Sequence, residues 1–189
     1  MTRLRKTAIE AAVKNSVMPR SAKTVTEAAQ LLKDLGIIGK ELRNKFITGS
    51  VSANSLRKMQ SASATEKSIS PTLHAKALAN VDVLFERALA KEEHADAKGN
   101  PNVSIIYRLG SVMEHDGKYY PIKITVREFV DSNISRNIYT IEAVNIGDNK
   151  TRRALDVADG GRSSPITGSI EIMLSSIVED VNRAAAKRS

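Results

Sequence analysis

Hydrophobic residues recur at three- and four-residue spacing in the middle of the chain, a pattern typical of an amphipathic helix. Pro71 stands before this segment, and proline is favoured in the first turn of a helix. The apolar positions are Leu78, Val81, Leu84, Phe85 and Leu89. We therefore predict one central helix over residues 71–89, followed by a short polar loop that carries His94.

Beyond this loop the apolar positions follow the two-residue period of β-strands. The first predicted strand runs from Val103 to Leu109, and residues 111–115 continue it across a bend. The Asp116-Gly117 pair favours the positive φ of a tight hairpin turn and leads into a second strand from Tyr119 to Phe129. A third strand is predicted from Asn137 to Ile146. Together these segments indicate a curved antiparallel sheet of three to five strands.

The first seventy residues show weaker patterns. A helix is predicted from Arg3 to Val17, and Thr24 followed by Glu27 has the spacing of a capping box at the start of a second helix. Residues 45–47 are a candidate for a short strand. Residues 61–70 are rich in serine, and this composition is typical of an exposed loop.

The last predicted helix, from Ser169 to Lys187, has a pronounced apolar face. The element order predicts an α+β fold in which N-terminal helices precede the sheet and a C-terminal helix closes it. We expect a basic N-terminal helix or arm over residues 1–21 and a single domain over residues 22–182, with its core at 73–147. Residues 183–189 are expected to be a frayed tail.

Composition limits the classes of function. The 189 residues include no cysteine, so disulfides, thiolate zinc sites and thiol chemistry are excluded. No apolar run reaches the roughly 20 residues that span a bilayer, and no signal-peptide core follows the basic start. We therefore expect a soluble, intracellular protein that does not engage a membrane.

The net charge of +8 is concentrated in the first part of the chain. Residues 1–72 contain 13 Lys and Arg against 5 Asp and Glu, whereas residues 73–189 contain 16 of each kind. A cationic segment beside a neutral domain suits contact with phosphates or with an acidic partner surface. A solvated helix face explains the same charge about equally well.

Several segments, in order and spacing, resemble a domain found in bacteriophages and mobile elements. That domain occurs at the C-terminus of MuF-type head proteins and within large polyvalent proteins. The resemblance covers roughly residues 22–147. The segments that carry it are Asn44-Lys45-Phe46-Ile47-Thr48-Gly49, Ser55-Leu56-Arg57-Lys58-Met59, Ala77-Leu78-Ala79-Asn80-Val81-Asp82, Glu93-His94-Ala95-Asp96, Tyr107-Arg108-Leu109, Gly117-Lys118, Ile122-Lys123-Ile124-Thr125-Val126-Arg127-Glu128 and Ile138-Tyr139.

The resemblance implies the barnase–EndoU–colicin–RelE-like nuclease fold, and by analogy it implies action on RNA. Two departures from the family pattern concern the histidine chemistry. Ala95 replaces a proline beside the loop histidine, and Tyr107 stands where a histidine is usual. The second departure weakens a mechanism that needs two histidines.

Metal-independent RNA cleavage needs a base for the 2′-OH, an acid for the leaving 5′ oxygen and cations for the phosphorane charge. His94 could act as base or acid because histidine titrates near neutral pH. Arg108 and Lys123 could hold the phosphate, and Thr125 shares a strand face with Lys123 under the two-residue alternation. These four residues are the predicted catalytic set.

The predicted substrate-binding residues are Arg127, Tyr139, Lys58 and Asp96. Arg127 extends the row of Lys123 and Thr125, and Tyr139 could donate a hydrogen bond or stack on a base. Lys58 and Asp96 are included because they match motif positions of the family. A simpler explanation is that Lys123, Thr125 and Arg127 form the solvent-exposed face of a strand whose apolar residues face the core.

No cofactor is expected. A metal site is also not expected, because the three histidines are far apart and no His-x-x-x-His pattern exists. The leading hypothesis is a phage-encoded, toxin-like endoribonuclease that acts in the host bacterial cytoplasm and could be carried in the virion. The alternative is a non-catalytic binding protein on the same fold, either virion-associated or an anti-defence factor. Its partner would be RNA, another phosphate-bearing ligand, or a host or phage protein.

Overall fold

Seven helices and one curled six-stranded sheet make up the part of the chain that the structure, a computed structural model, describes: residues 3–130, 136–143 and 170–186. The helices are α1 (Arg3–Lys14), α2 (Val25–Asp34), α3 (Ala53–Met59), α4 (Ala62–Thr65), α5 (Pro71–Ala79), α6 (Val81–Glu86) and α7 (Ile170–Ala186). The strands are β1 (Glu41–Arg43), β2 (Thr48–Ser50), β3 (Ala90–His94), β4 (Val103–His115), β5 (Lys118–Phe129) and β6 (Arg136–Ala143).

The strands lie in the order β1–β2–β6–β5–β4–β3. All neighbouring pairs are antiparallel except β2 and β6, which meet in a short parallel contact at Ser50 and Asn137. The predicted α+β fold with a curved sheet and a C-terminal helix is confirmed. The expected upper limit of five strands was wrong, because β1, β2 and β3 are too short or too polar to show a period.

Each face of the sheet packs against a different set of helices. The larger core lies between one face and helices α2, α3, α5 and α6, with Phe85, Leu78 and Ile124 fully buried in it. The smaller core lies on the opposite face, where α7 and α1 pack around Val112. Gly110 allows this close packing, because an added Cβ would overlap the side chain of Leu174. Within the described residues, no helix has the length and apolarity needed to cross a membrane.

The central helix is interrupted at Asn80, so the prediction of one continuous helix was wrong. The Asn80 side chain donates to the Lys76 carbonyl at 2.7 Å and accepts from the Arg20 backbone N–H at 3.0 Å. These bonds compete with the helical hydrogen bonds, and the backbone turns at φ −122°, ψ 18°. The predicted apolar face survives the break in α5 and α6, but Leu89 lies beyond them and packs in the smaller core.

The first described residues contact both the sheet and the helices. Val17 forms a bridge beside β4, with its N–H bonded to the Val112 carbonyl at 3.0 Å and its carbonyl to the Glu114 N–H at 2.9 Å. Arg20 forms a two-bond ion pair with Asp82, at 2.8 and 2.9 Å. Part of the N-terminal positive charge is therefore already paired. The boundary at residue 21 stays a prediction.

Two predicted segments of the first seventy residues have other structures. Residues 45–47 do not form a strand, because the Asn44 side chain accepts hydrogen bonds from the Phe46 and Ile47 N–H groups and makes a turn between β1 and β2. The predicted loop at 61–70 contains α4, whose first turn is capped by Ser61 and whose Ala64 is buried. The capping pair at Thr24 is confirmed, since its side chain accepts from the Glu27 N–H.

His74 is fully buried and joins three segments of the chain. Its Nε2 lies 2.7 Å from the Met59 carbonyl, which can only accept, so Nε2 carries the proton. Its Nδ1 therefore accepts from the Ser68 hydroxyl at 2.9 Å, and the same hydroxyl oxygen accepts from the Ala143 N–H at 3.0 Å. The neutral ring thus connects the end of α3, the segment before α5 and the end of β6.

Burial lowers the pKa of His74 below its ordinary value, because the ring loses water that would solvate its charged form. At a pH between the two pKa values, the His74 ring binds a proton in the unfolded chain but not in the folded one. The stability that the neutral ring contributes is therefore complete above the unfolded pKa of about 6.5 and is lost as the pH falls below it. We expect the free energy of unfolding in urea to fall as the pH is lowered through about 6.5, with a slope for this one proton of at most about 1.4 kcal/mol per pH unit. The variant His74→Gln should show a smaller pH dependence, and an equal dependence in both proteins would contradict this assignment.

Candidate functional site

One face of the sheet, the face against which α7 packs, collects the predicted catalytic residues. Directly paired residues of neighbouring strands project to the same side. Three adjacent rows across β3, β4, β5 and β6 are His94–Ile106–Arg127–Asn137, Glu92–Arg108–Thr125–Thr140 and Ala90–Gly110–Lys123–Glu142. We call the surface formed by Glu92, His94, Arg108, Thr125 and Arg127 the polar face.

His94 is the last residue of β3, so its prediction as a loop residue was wrong. Its Nε2 lies 3.1 Å from a carboxylate oxygen of Glu92, and its side chain is 37% exposed. Since a carboxylate can only accept, Nε2 carries the hydrogen when the ring is neutral. Nδ1 has no hydrogen-bond partner among the described residues. The ring therefore has one nitrogen held in place and one that can accept a proton.

Arg108 lies at the centre of the polar face. It pairs directly with Thr125 and is the diagonal neighbour of both His94 and Arg127. Diagonal neighbours in an antiparallel sheet are about 7–8 Å apart at Cα, a gap that a phosphate group held by long side chains can bridge. In the part of the chain that the structure describes, no carboxylate or hydrogen-bond acceptor engages the Arg108 guanidinium.

Lys123 lies one row further, beside α7, and has a carboxylate partner. Its Nζ is 2.7 Å from Glu142, and the two side chains are only 15% and 12% exposed. Withdrawing either charge would leave the other one poorly solvated. Lys123 lies on the same side of the sheet as Thr125, as predicted, but the Glu142 carboxylate neutralises its ammonium.

Three of the four predicted binding residues, Arg127, Tyr139 and Lys58, lie together near β6, whereas Asp96 follows β3 at the other edge of the sheet. The Arg127 guanidinium stacks on the Tyr139 ring, 3.7 Å from its centroid, and Lys58 Nζ donates to the Tyr139 hydroxyl at 2.7 Å. Tyr139 is therefore not an open stacking platform, because a cation covers its ring. Asp96 accepts backbone hydrogen bonds from Lys98 and Asn100, which lower its pKa, so it also orders the loop after β3.

The cations around Tyr139 lower the pKa of its phenol, chiefly through the hydrogen bond from Lys58. Burial raises the pKa values of Tyr107 and Tyr119. We therefore expect Tyr139 to ionise before these two in a pH titration followed by absorbance near the phenolate band, and Lys58→Met to raise its pKa. If the earliest step persists in Tyr139→Phe, the assignment is contradicted.

Tyr107 faces the larger core, on the side of the sheet opposite to His94. It is 5% exposed, its hydroxyl donates to Glu128 at 2.9 Å, and Arg136 pairs with the same carboxylate at 2.5 Å. A side chain at position 107 therefore could not act together with His94 on the polar face. The tyrosine at position 107 therefore does not weaken a mechanism on the polar face, contrary to the expectation from the sequence, because a histidine there would lie on the other side of the sheet.

The other two histidines lie away from the polar face. His74 is fully buried on the side of the larger core. His115 is at the hairpin between β4 and β5, 3.0 Å from Lys76 and 3.1 Å from Asp116. Within the described ranges, no group of three or more His, Asp or Glu side chains is placed to hold a metal ion.

Glu92 is the site residue that sequence analysis missed. Two glutamates precede His94, and the assumed loop gave no reason to prefer either. The two-residue alternation of a strand would have selected Glu92, because it shares a face with His94. Glu93 projects to the opposite side and pairs with Lys91 at 2.6 Å.

Comparison with known proteins identifies one family. The model of the family described as large polyvalent protein-associated domain 3 matches residues 20–139, more than half of the chain. The match includes β3, β4 and β5 and ends within β6, so α7 lies outside it. No curated protein and no solved structure matches the chain.

Proposed function

Since the chain belongs to the family of large polyvalent protein-associated domain 3, we propose that it is a phage-encoded, metal-independent endoribonuclease. We further propose the barnase–EndoU–colicin–RelE-like nuclease group as its structural class. Such an enzyme would act on RNA in the host bacterial cytoplasm and could be delivered in the virion. The observation that carries the proposal is the central position of Arg108 between His94, Thr125 and Arg127 on one face.

In the proposed reaction His94 Nδ1 takes the proton of the 2′-OH. The 2′ oxygen then attacks phosphorus, the bond to the 5′ oxygen breaks, and the proton returns from His94 to that leaving oxygen. Arg108 offers a planar fork to the non-bridging oxygens, and the Thr125 hydroxyl adds a neutral donor. Arg127 and Lys58 would bind a flanking phosphate.

The proposal is tested by RNA cleavage in EDTA with variants of the central cation. Arg108→Ala should lower kcat/KM by about 10²- to 10³-fold, the loss typical of one oxyanion donor. Arg43→Ala is the matched control, because Arg43 is an exposed arginine on β1 that pairs with Glu41. An equal loss of kcat/KM in the two variants, or no loss in Arg108→Ala, would refute the proposal that Arg108 binds the scissile phosphate.

A second candidate function is RNA or protein binding without cleavage, as a virion-associated or anti-defence factor. It is favoured by the Lys123–Glu142 ion pair, which removes one cation from the predicted catalytic set. This candidate predicts that folded wild-type protein binds RNA in a salt-dependent manner and leaves it intact. Intact RNA after long incubation in EDTA, together with measurable binding, would select it over the nuclease.

A further inference from the structure

The Glu92 carboxylate joins the final helix to His94. One of its oxygens accepts a hydrogen bond from the Ile170 backbone N–H in the first turn of α7, and the other lies 3.1 Å from His94 Nε2. The Glu92 side chain is 24% exposed, so it is less accessible than His94 at 37%. Each oxygen therefore has a distinct partner, and the two partners come from elements far apart in the sequence.

We propose that Glu92 is a positioning residue for His94 and that α7 holds Glu92 in place. This inference rests on the proposed function, because it assigns Glu92 a role in the reaction through His94. The carboxylate fixes the neutral ring with hydrogen on Nε2 and leaves the Nδ1 lone pair for the 2′-OH proton. Without it, the ring can rotate and can populate the other tautomer.

The first turn of α7 suits this carboxylate for two reasons. The N–H groups of a first helical turn lack partners within the helix, and the helix dipole favours negative charge at that end. The helix itself is anchored a short distance away, where Ile170 and Leu174 pack into the space left by Gly110. The position of α7 therefore determines the position of Glu92, and through it the orientation of the His94 ring.

Glu93 provides a control within the same strand. It is the adjacent residue with the same side chain, but it projects to the opposite face, is 53% exposed and pairs with Lys91. Glu92→Met removes both acceptor oxygens at nearly constant size, and Glu92→Gln keeps one of them. Glu93→Met removes the same charge without changing the polar face.

The first readout is the tautomer of His94, measured by nitrogen NMR of the imidazole rings above pH 8 and assigned with His94→Gln. Wild type and Glu93→Met should hold hydrogen on Nε2. Glu92→Met should show a mixture of the two tautomers, and Glu92→Gln an intermediate state. An unchanged His94 ring spectrum in folded Glu92→Met would overturn the inference, and Glu92→Gln provides the same test if the Met variant does not fold.

The second readout is cleavage kinetics in EDTA. Glu92→Met should lower kcat by about 100-fold with KM nearly unchanged, and Glu93→Met should have no comparable effect. Cleavage by wild type with an unchanged kcat in Glu92→Met would refute the positioning role alone. Absence of cleavage by wild type would refute the proposed function, while the tautomer measurement would still decide whether Glu92 orients His94.

Discussion

His94→Ala is expected to lower the rate of RNA cleavage by about 10²- to 10⁴-fold, the usual contribution of a positioned acid–base group. The physical reason is that His94 is the histidine of the polar face, and its Nδ1 has no partner among the described residues. Rates measured in EDTA on a single-stranded RNA give the comparison. KM should change little, because Arg108 and Arg127 would still bind phosphates.

His115→Ala is the matched control for this variant. His115 is also a strand-end histidine beside a carboxylate, but it lies at the far end of β4 from the polar face. It should keep nearly the wild-type rate. Wild-type activity in His94→Ala would remove this residue from the chemistry, whatever the result for His115→Ala.

Arg20→Ala is expected to reduce the free energy of unfolding by about 3 kcal/mol. The side chain of Asp82 is 8% exposed, so the variant leaves a carboxylate without its partner in a poorly solvated place. The hydrogen bond to Asp82 is also the main reason that the pKa of Arg20 is raised. The Arg20 side chain further donates to the Ala79 carbonyl at 3.0 Å, so the break between α5 and α6 loses a second contact.

Urea unfolding at neutral pH measures this effect. The double variant Arg20→Met with Asp82→Leu is the control, because it removes both charges together and should lose much less stability than Arg20→Ala. A loss below about 1 kcal/mol in Arg20→Ala would instead indicate that the Arg20–Asp82 pair contributes no more than an exposed surface ion pair.

The long helices and strands could be predicted because their pattern of apolar and polar residues repeats over many positions. Strands β4 and β5 alternate over a dozen positions, and α7 repeats its apolar face over four turns, so their bounds agree closely with the prediction. Strand β3 could not be found in this way. It is an edge strand composed mainly of charged and polar residues, so it shows no apolar alternation. The end of the predicted third strand, residues 144–146, lies outside the described residues.

Sequence could place the residues of the candidate site only where they lie on the same strand. Alternation placed Lys123, Thr125 and Arg127 on a common face, and the structure agrees. The partners of these side chains depend on contacts between distant elements. Lys58 and Tyr139 are 81 residues apart, and Glu92 and Ile170 are 78 residues apart, so no local pattern reveals either pair.

The most direct test of the proposed nuclease is the chemistry of the RNA ends that wild-type protein leaves in EDTA. Phosphorus NMR of the products should show 2′,3′-cyclic phosphate, because His94-assisted attack by the 2′-OH passes through that species. An RNA of the same sequence with 2′-O-methyl groups should remain intact. Products that carry 5′-phosphate ends, cleavage of the methylated RNA, or no cleavage by folded protein would each contradict the proposed function.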